Sequence, residues 1–101
     1  MNEKERLNML KMVTWEIDLT QFLVLAETND EAIQLAIEAN REVDKNYTYD
    51  PNDRNDLKHL NDVKNPSTYT VEDMDAIRCL DNILRRNDCG GIYGNAIVFW
   101  D

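Results

Sequence analysis

The chain alternates between two kinds of hydrophobic rhythm. Residues 2–11 place Leu7 and Leu10 at helical spacing, with Asn2 as a cap, which predicts a short, frayed helix. From Val13 the period drops to two. Trp15, Ile17 and Leu19 alternate with Thr14, Glu16, Asp18 and Thr20, the pattern of a strand with one buried and one wet face. The run Phe22–Ala26 is apolar at every position and suits a strand covered on both faces. Leu19, Thr20 and Gln21, between the two runs, offer no Gly, Asn or Pro for a tight hairpin. The expectation is therefore one long, bulged strand or two strands joined by a tight bend.

Helical spacing returns after Glu27. Thr28 and Glu31 have the spacing of a capping box, and Asp30 and Glu31 suit the positive end of a helix dipole. Ala32, Ile33, Leu35, Ala36, Ile37, Ala39 and Val43 form a broad apolar side. Glu31, Gln34, Glu38, Arg41, Glu42 and Lys45 fall on the other. Residues 46–69 are polar and hold both prolines. Leu57, Leu60 and Val63 recur there every third position behind Asp53, so loop, short helix, loop is expected. A second strong helix is expected from Thr70, capped by the Thr70–Asp73 spacing, with Met74, Ile77, Leu80, Ile83 and Leu84 as its apolar stripe. Gly90 or Gly91 would end it. Residues 96–100, Ala-Ile-Val-Phe-Trp, read as a closing strand.

This order predicts a single α+β domain spanning residues 1–101. A small, mainly antiparallel sheet would be covered on one face by two main helices, with a short connecting helix between them. The closing strand belongs beside the first long strand. At a sheet edge it would instead be a dimerisation site.

Composition narrows the function classes. The chain has 101 residues, enough to bury about two-thirds of its unfolded surface. Its net charge of −9 repels nucleic acids and anionic membranes and attracts basic protein surfaces. The first residues lack the apolar core and cleavage site of a secretory signal, and no run is long enough to cross a bilayer. Two cysteines, Cys79 and Cys89, are too few for a disulfide scaffold, so thiols in a reducing cytoplasm are expected.

Candidate chemistry is sparse. The stretch Tyr49–Asp62 resembles a calcium loop in composition only. Counted from Asp50, Arg54 falls where a ligand belongs and Asn61 where a glutamate belongs. Turn and cap chemistry accounts for its Asp and Asn residues. His59 is the sole histidine, far from both cysteines, so neither a zinc site nor a cysteine–histidine pair is expected, and His59 should face solvent on the short helix. Glu16 and Asp18 should lie on the solvent face of a strand, without the lysine and further acids of a magnesium nuclease. The glycines at 90, 91 and 94 follow a helix and precede a strand, opposite to a phosphate loop. Neither a cofactor, a metal nor a catalytic set is expected.

The negative charge is concentrated. Residues 46–70 hold four acids against three bases, whereas Glu27–Asp44 holds six acids against Arg41 alone. Carboxylates on a rigid helix can compete for the lysines and arginines that would otherwise neutralise phosphates. The candidate partner-binding residues are therefore Glu31, Glu38, Glu42 and Asp44, with Tyr47 and Tyr49 just downstream as aromatic anchors.

On the acidic segment ETNDEAIQLAIEANREVD, the small single domain and the lack of a catalytic set, the chain resembles phage and mobile-element inhibitors of the anti-CRISPR and anti-restriction type. Several of those are acidic DNA mimics. The resemblance implies a non-enzymatic protein, in the cytoplasm of a bacterial host cell, that binds a basic nucleic-acid-binding partner, above all a CRISPR effector nuclease. The alternative is a small structural or regulatory interaction domain, with a homodimer through a sheet edge and no mimicry.

Overall fold

The computed structural model describes residues 9–46, 48–73 and 91–99. Along the chain they form strands β1 (Leu10–Trp15) and β2 (Thr20–Leu25), helices α1 (Asn29–Val43) and α2 (Arg54–Lys64), then strands β3 (Tyr69–Asp73), β4 (Gly91–Tyr93) and β5 (Ala96–Phe99). The strands make one antiparallel sheet in the order β3-β1-β2-β5-β4. Helices pack on this sheet, so the fold is α+β. The closing strand takes the expected interior place, between β2 and β4.

Residues 10–25 resolve the open choice in favour of two strands. The bend comes at Glu16–Leu19, earlier than expected. Trp15 is buried, but Ile17 and Leu19 are exposed in the turn, so the period-two pattern does not continue through it. This four-residue turn closes with a residue at positive φ, and without a Gly or Asn there Leu19 takes that place at 66°. Three bonds hold it. Leu19 N donates to Trp15 O, and the Asp18 carboxylate accepts from both the backbone and the hydroxyl of Thr20. Asp18 is thus a turn residue rather than part of a strand face. Glu16 is too: its carboxylate accepts from the Thr70 hydroxyl at 2.6 Å.

β1 begins at Leu10, so strand pairing overrides the helix expected to reach residue 11; the rest of that helix, residues 2–8, lies outside the described residues. The larger correction concerns Thr70. Tyr69–Asp73 is a strand, paired with β1 over five positions from Lys11↔Asp73 to Trp15↔Tyr69. The Thr70–Asp73 cap therefore does not form. Tyr69 and Val71 face the core, and the Lys11 ammonium meets Asp73 at 2.7 Å. The expected helix beyond Asp73, with Cys79 and Cys89, lies outside the described residues.

α1 forms as its sequence dictates. The Thr28 hydroxyl accepts from Glu31 N, while Glu31 Oε2 accepts from Glu27 N, one residue upstream of the usual box. Its apolar side meets Val13, Trp15, Phe22, Val24, Ala96 and Val98 from one face of the sheet. Three fully buried alanines, Ala32, Ala36 and Ala39, let the helix approach closely. On the opposite face Met12, Leu23 and Phe99 form a smaller buried cluster. Burial of Phe22, Leu23 and Val24 together matches a strand covered on both sides, although Leu25 is exposed. Each large side chain so buried contributes about 1.5–3 kcal/mol.

α2 is the predicted connecting helix. Asp53 caps it by accepting from Asn55 N. Asp50 accepts from Asn52 N, and Asp56 accepts from Asp50 N, so turn and cap chemistry occupies these aspartates. The helix reaches the core through Val63.

One buried polar knot joins the layers. The Tyr69 hydroxyl donates to Val63 O of α2 at 2.6 Å and accepts from Asn40 Nδ2 of α1 at 3.0 Å. Its ring stacks near Trp15 and tilts against Phe22. Burial pushes the Tyr69 phenol up to about 12. The Asn40 hydrogen bond pulls the other way, and the Asp44 and Asp18 carboxylates add to the rise.

Tyr69→Phe leaves Asn40 and Val63 O without this partner and should lower stability by about 1–3 kcal/mol in urea unfolding at neutral pH. The unfolded phenol ionises near 10.0 and the folded one near 12. In that window the native state holds the extra proton, so stability falls as pH rises. The contribution is complete below pH about 10 and lost above about 12, on the order of 2 kcal/mol. The Tyr69→Phe protein should lack this part of the alkaline slope. Leu19→Gly should relieve the positive-φ strain without removing a core contact, raising stability by about 1 kcal/mol; a fall in thermal midpoint would show that the exposed leucine packs in solution.

Candidate partner-binding site

α1 turns its polar side outward because its other side is committed to the sheet. Glu31, Gln34, Glu38, Arg41, Glu42 and Lys45 are all exposed. Glu31, Glu38 and Glu42 recur at i, i+7 and i+11, which aligns them along about 16 Å of helix axis. The stripe is most purely acidic at its N-terminal half. Nearer the C-terminus Lys45 pairs with Glu42 at 2.8 Å, an exposed contact worth about 0–1 kcal/mol. There Glu38, Arg41, Glu42 and Lys45 share a cleft of about 450 Å³ with Gly94. Gly94 is at φ 58°, the first position of the two-residue turn joining β4 to β5, where a glycine is the residue that fits.

Asp44 and Tyr49 belong to a second place, where the chain leaves α1 and enters α2. A single 3-10 turn, Asp44–Asn46, follows the helix. The Tyr49 hydroxyl donates to Asp44 Oδ2 at 2.8 Å, and His59 Nε2 lies 3.2 Å from the same oxygen. The Tyr49 and His59 rings stack with centroids 5.8 Å apart at 30°, and Trp15 meets His59 edge-on at 5.2 Å. Trp15 is held in turn by the Thr68 hydroxyl, which accepts from its indole N–H at 3.0 Å.

His59 is thus only partly solvent-facing. Its side chain is 38% exposed and is wedged among groups from β1, the end of α1 and the connector. Its neighbours are distant in sequence, so spacing alone could not find it. The available signal was a histidine beside Leu60, one turn from Leu57 and Val63 in a short amphipathic helix. The structure therefore splits the expected site: Glu31, Glu38 and Glu42 share a helix face, whereas Asp44 and Tyr49 form a cleft with His59. Tyr47 lies outside the described residues. Asn40, a polar residue within the apolar arc of α1, is a further position missed; it is buried by its bond to Tyr69.

Among the described residues, no group of three or more His, Cys, Asp or Glu is placed to hold a metal ion. No described helix is long and apolar enough to cross a membrane.

Asp44→Ala removes the shared acceptor of Tyr49 and His59. Expected outcomes are a loss of about 1–2 kcal/mol in thermal or urea unfolding and faster proteolysis within residues 47–53. Asp44→Asn, which keeps an acceptor oxygen, should recover most of the protection.

Compared with known proteins, the chain matches no family model, no curated protein and no solved structure at a significant level.

Proposed function

We propose that the protein is a non-catalytic, stoichiometric inhibitor of a bacterial nucleic-acid-targeting nuclease, foremost a CRISPR effector. It works by laying the acidic face of α1 into a basic groove that otherwise holds phosphates. The observation that carries this reading is the exposed stripe Glu31, Glu38 and Glu42 on a helix backed by the sheet. A helix fixed by its buried side presents charges with little ordering left to do on binding. Carboxylates so placed steer association with a basic surface and occupy the cations that would bind phosphate. The chain's net charge of −9 adds a long-range field of the same sign. Such a protein acts in the cytoplasm of the bacterial host and needs no cofactor.

A second reading has one observation of its own. Ile92 on β4, at the end of the described sheet order, is 81% exposed. An apolar residue on an outer strand favours a protein-interaction domain that pairs through its sheet edge, with another copy or another protein, without mimicry.

Salt separates the two. The tagged protein is used to capture partners from a lysate of bacteria carrying defence nucleases, and the bound proteins are identified by mass spectrometry. Mimicry predicts a basic, nucleic-acid-binding partner that is released as salt rises and displaced by DNA or RNA. Reversing Glu31, Glu38 and Glu42 to lysine together should weaken its binding about tenfold or more while the circular dichroism spectrum is retained. A partner that stays bound in high salt, and is held equally by the triple variant, sinks the acidic-helix reading and leaves the sheet edge.

A further inference from the structure

We propose that β4 pairs with itself: two copies of this chain join antiparallel through Ile92 and make one continuous sheet. This rests on the reading of the sheet edge as an interaction surface, and it names the occupant.

β4 ends the sheet order, and among the described residues no strand pairs with its outer side. Its register with β5 fixes which backbone groups point that way. Tyr93 pairs with Ala96 across a two-residue turn, and such a turn is closed by a hydrogen-bonded pair. Pairs alternate along an antiparallel ladder, so Gly91↔Val98 is hydrogen-bonded and Ile92↔Ile97 is not. The N–H and C=O of Ile92 therefore point away from β5, toward the outer side. Ile97 turns its own groups toward Leu23, its partner on β2.

The side chains point to the same residue. The register aligns Glu72, Met12, Leu23, Ile97 and Ile92 in one row across the sheet, from β3 to β4. Met12 and Leu23 are buried, Ile97 packs against their cluster, and Ile92 is 81% exposed. The row is thus apolar from β1 outward and stops at an uncovered isoleucine. At its other end it closes on exposed Glu72, beside exposed Asp73. A charge on an outer strand blocks pairing with another strand, and an apolar residue there favours it. The two outer strands are finished in opposite ways.

A second copy is the occupant that fits. A two-fold axis normal to the sheet sets the Ile92 residues of two copies opposite each other. Their outward N–H and C=O groups then exchange two hydrogen bonds, the complete set for one such pair. The apolar row runs on unbroken into the second copy. Residues 91–95, Gly-Ile-Tyr-Gly-Asn, carry no charge, so the strands meet without local repulsion. Two-fold pairing also uses every contact twice, which suits a strand of three residues. The contact is short, and each chain carries a net charge of −9. The dimer therefore forms at high protein concentration and is strengthened by salt, the reverse of binding through the acidic face of α1.

The test is sedimentation equilibrium of the full chain from about micromolar to millimolar concentration, at low and raised salt. Exchange of the Ile92 amide is followed by NMR over the same range. Expected are a monomer–dimer equilibrium that tightens with salt and an Ile92 amide that exchanges more slowly as dimer forms. Ile92→Lys should weaken dimerisation about tenfold or more. Ile92→Pro, which deletes only an outward N–H, should do the same. Asn52→Lys adds the same charge at an exposed position away from β4 and should not weaken it. Circular dichroism and thermal midpoints confirm that each variant is folded. A monomer at every concentration, a dimer equally tight with Ile92→Lys, or an Ile92 amide indifferent to concentration overturns the proposal. Lysate capture with tagged Ile92→Lys separates this failure from that of the broader reading. A monomeric chain whose captured partner is lost on Ile92→Lys removes self-pairing alone; a partner held equally by that variant removes the sheet edge as a surface.

Discussion

The fold depends on the Tyr69 hydroxyl. It is a polar group inside the apolar layer, and its two hydrogen bonds fall on two different helices. Asn40 fixes where α1 lies along the sheet, and Val63 O fixes where α2 ends. Tyr69 is itself anchored by β3 pairing with β1 and by its ring beside Trp15 and Phe22. Apolar contacts are tolerant of sliding, whereas a buried hydrogen bond is not, because a displaced partner is left unsatisfied. This one phenol ties both helices to β3. The position of the Asp44 cleft follows, since Asp44 stands four residues after Asn40 and His59 four before Val63.

What could be read from the sequence was local. The capping residues and apolar arc of α1 lie within a single window, and Asp53 announces α2 within three residues. The strand pair was half legible: its β-forming runs were plain, but the turn was hidden because Leu19 takes a conformation usually left to Gly or Asn. β3 was not legible as a strand. Thr70 and Asp73 have cap spacing, and what decides against a helix there is pairing with Lys11–Trp15, more than fifty residues away. His59 escaped for the same reason, its surroundings being assembled from β1, the end of α1 and the connector. The acidic stripe was readable as a face, but not its interruption by Lys45 or the departure of Asp44 into a separate cleft.

The two acidic places differ in physical character. The stripe on α1 is wet and long, suited to attraction at a distance and weak in any one contact. The cleft is concave and walled by the Tyr49 and His59 rings, both of which already meet the Asp44 carboxylate. Both belong to one helix, the stripe to its outer face and the cleft to its C-cap, Asp44.

The sheet order has a consequence for how the chain is made. β2 is bonded to β1 on one side and to β5 on the other. The first partner precedes it by a few residues; the second ends at Phe99. On a ribosome adding about 5–20 residues each second, β2 therefore waits roughly 4–15 s with Gln21–Leu23 unpaired on that side. During that interval its backbone edge and the apolar Phe22–Leu25 run are open to any strand nearby. The nascent chain is most exposed to mispairing in this window, and the short, fast β1–β2 hairpin is the part that leaves only one edge of β2 to protect.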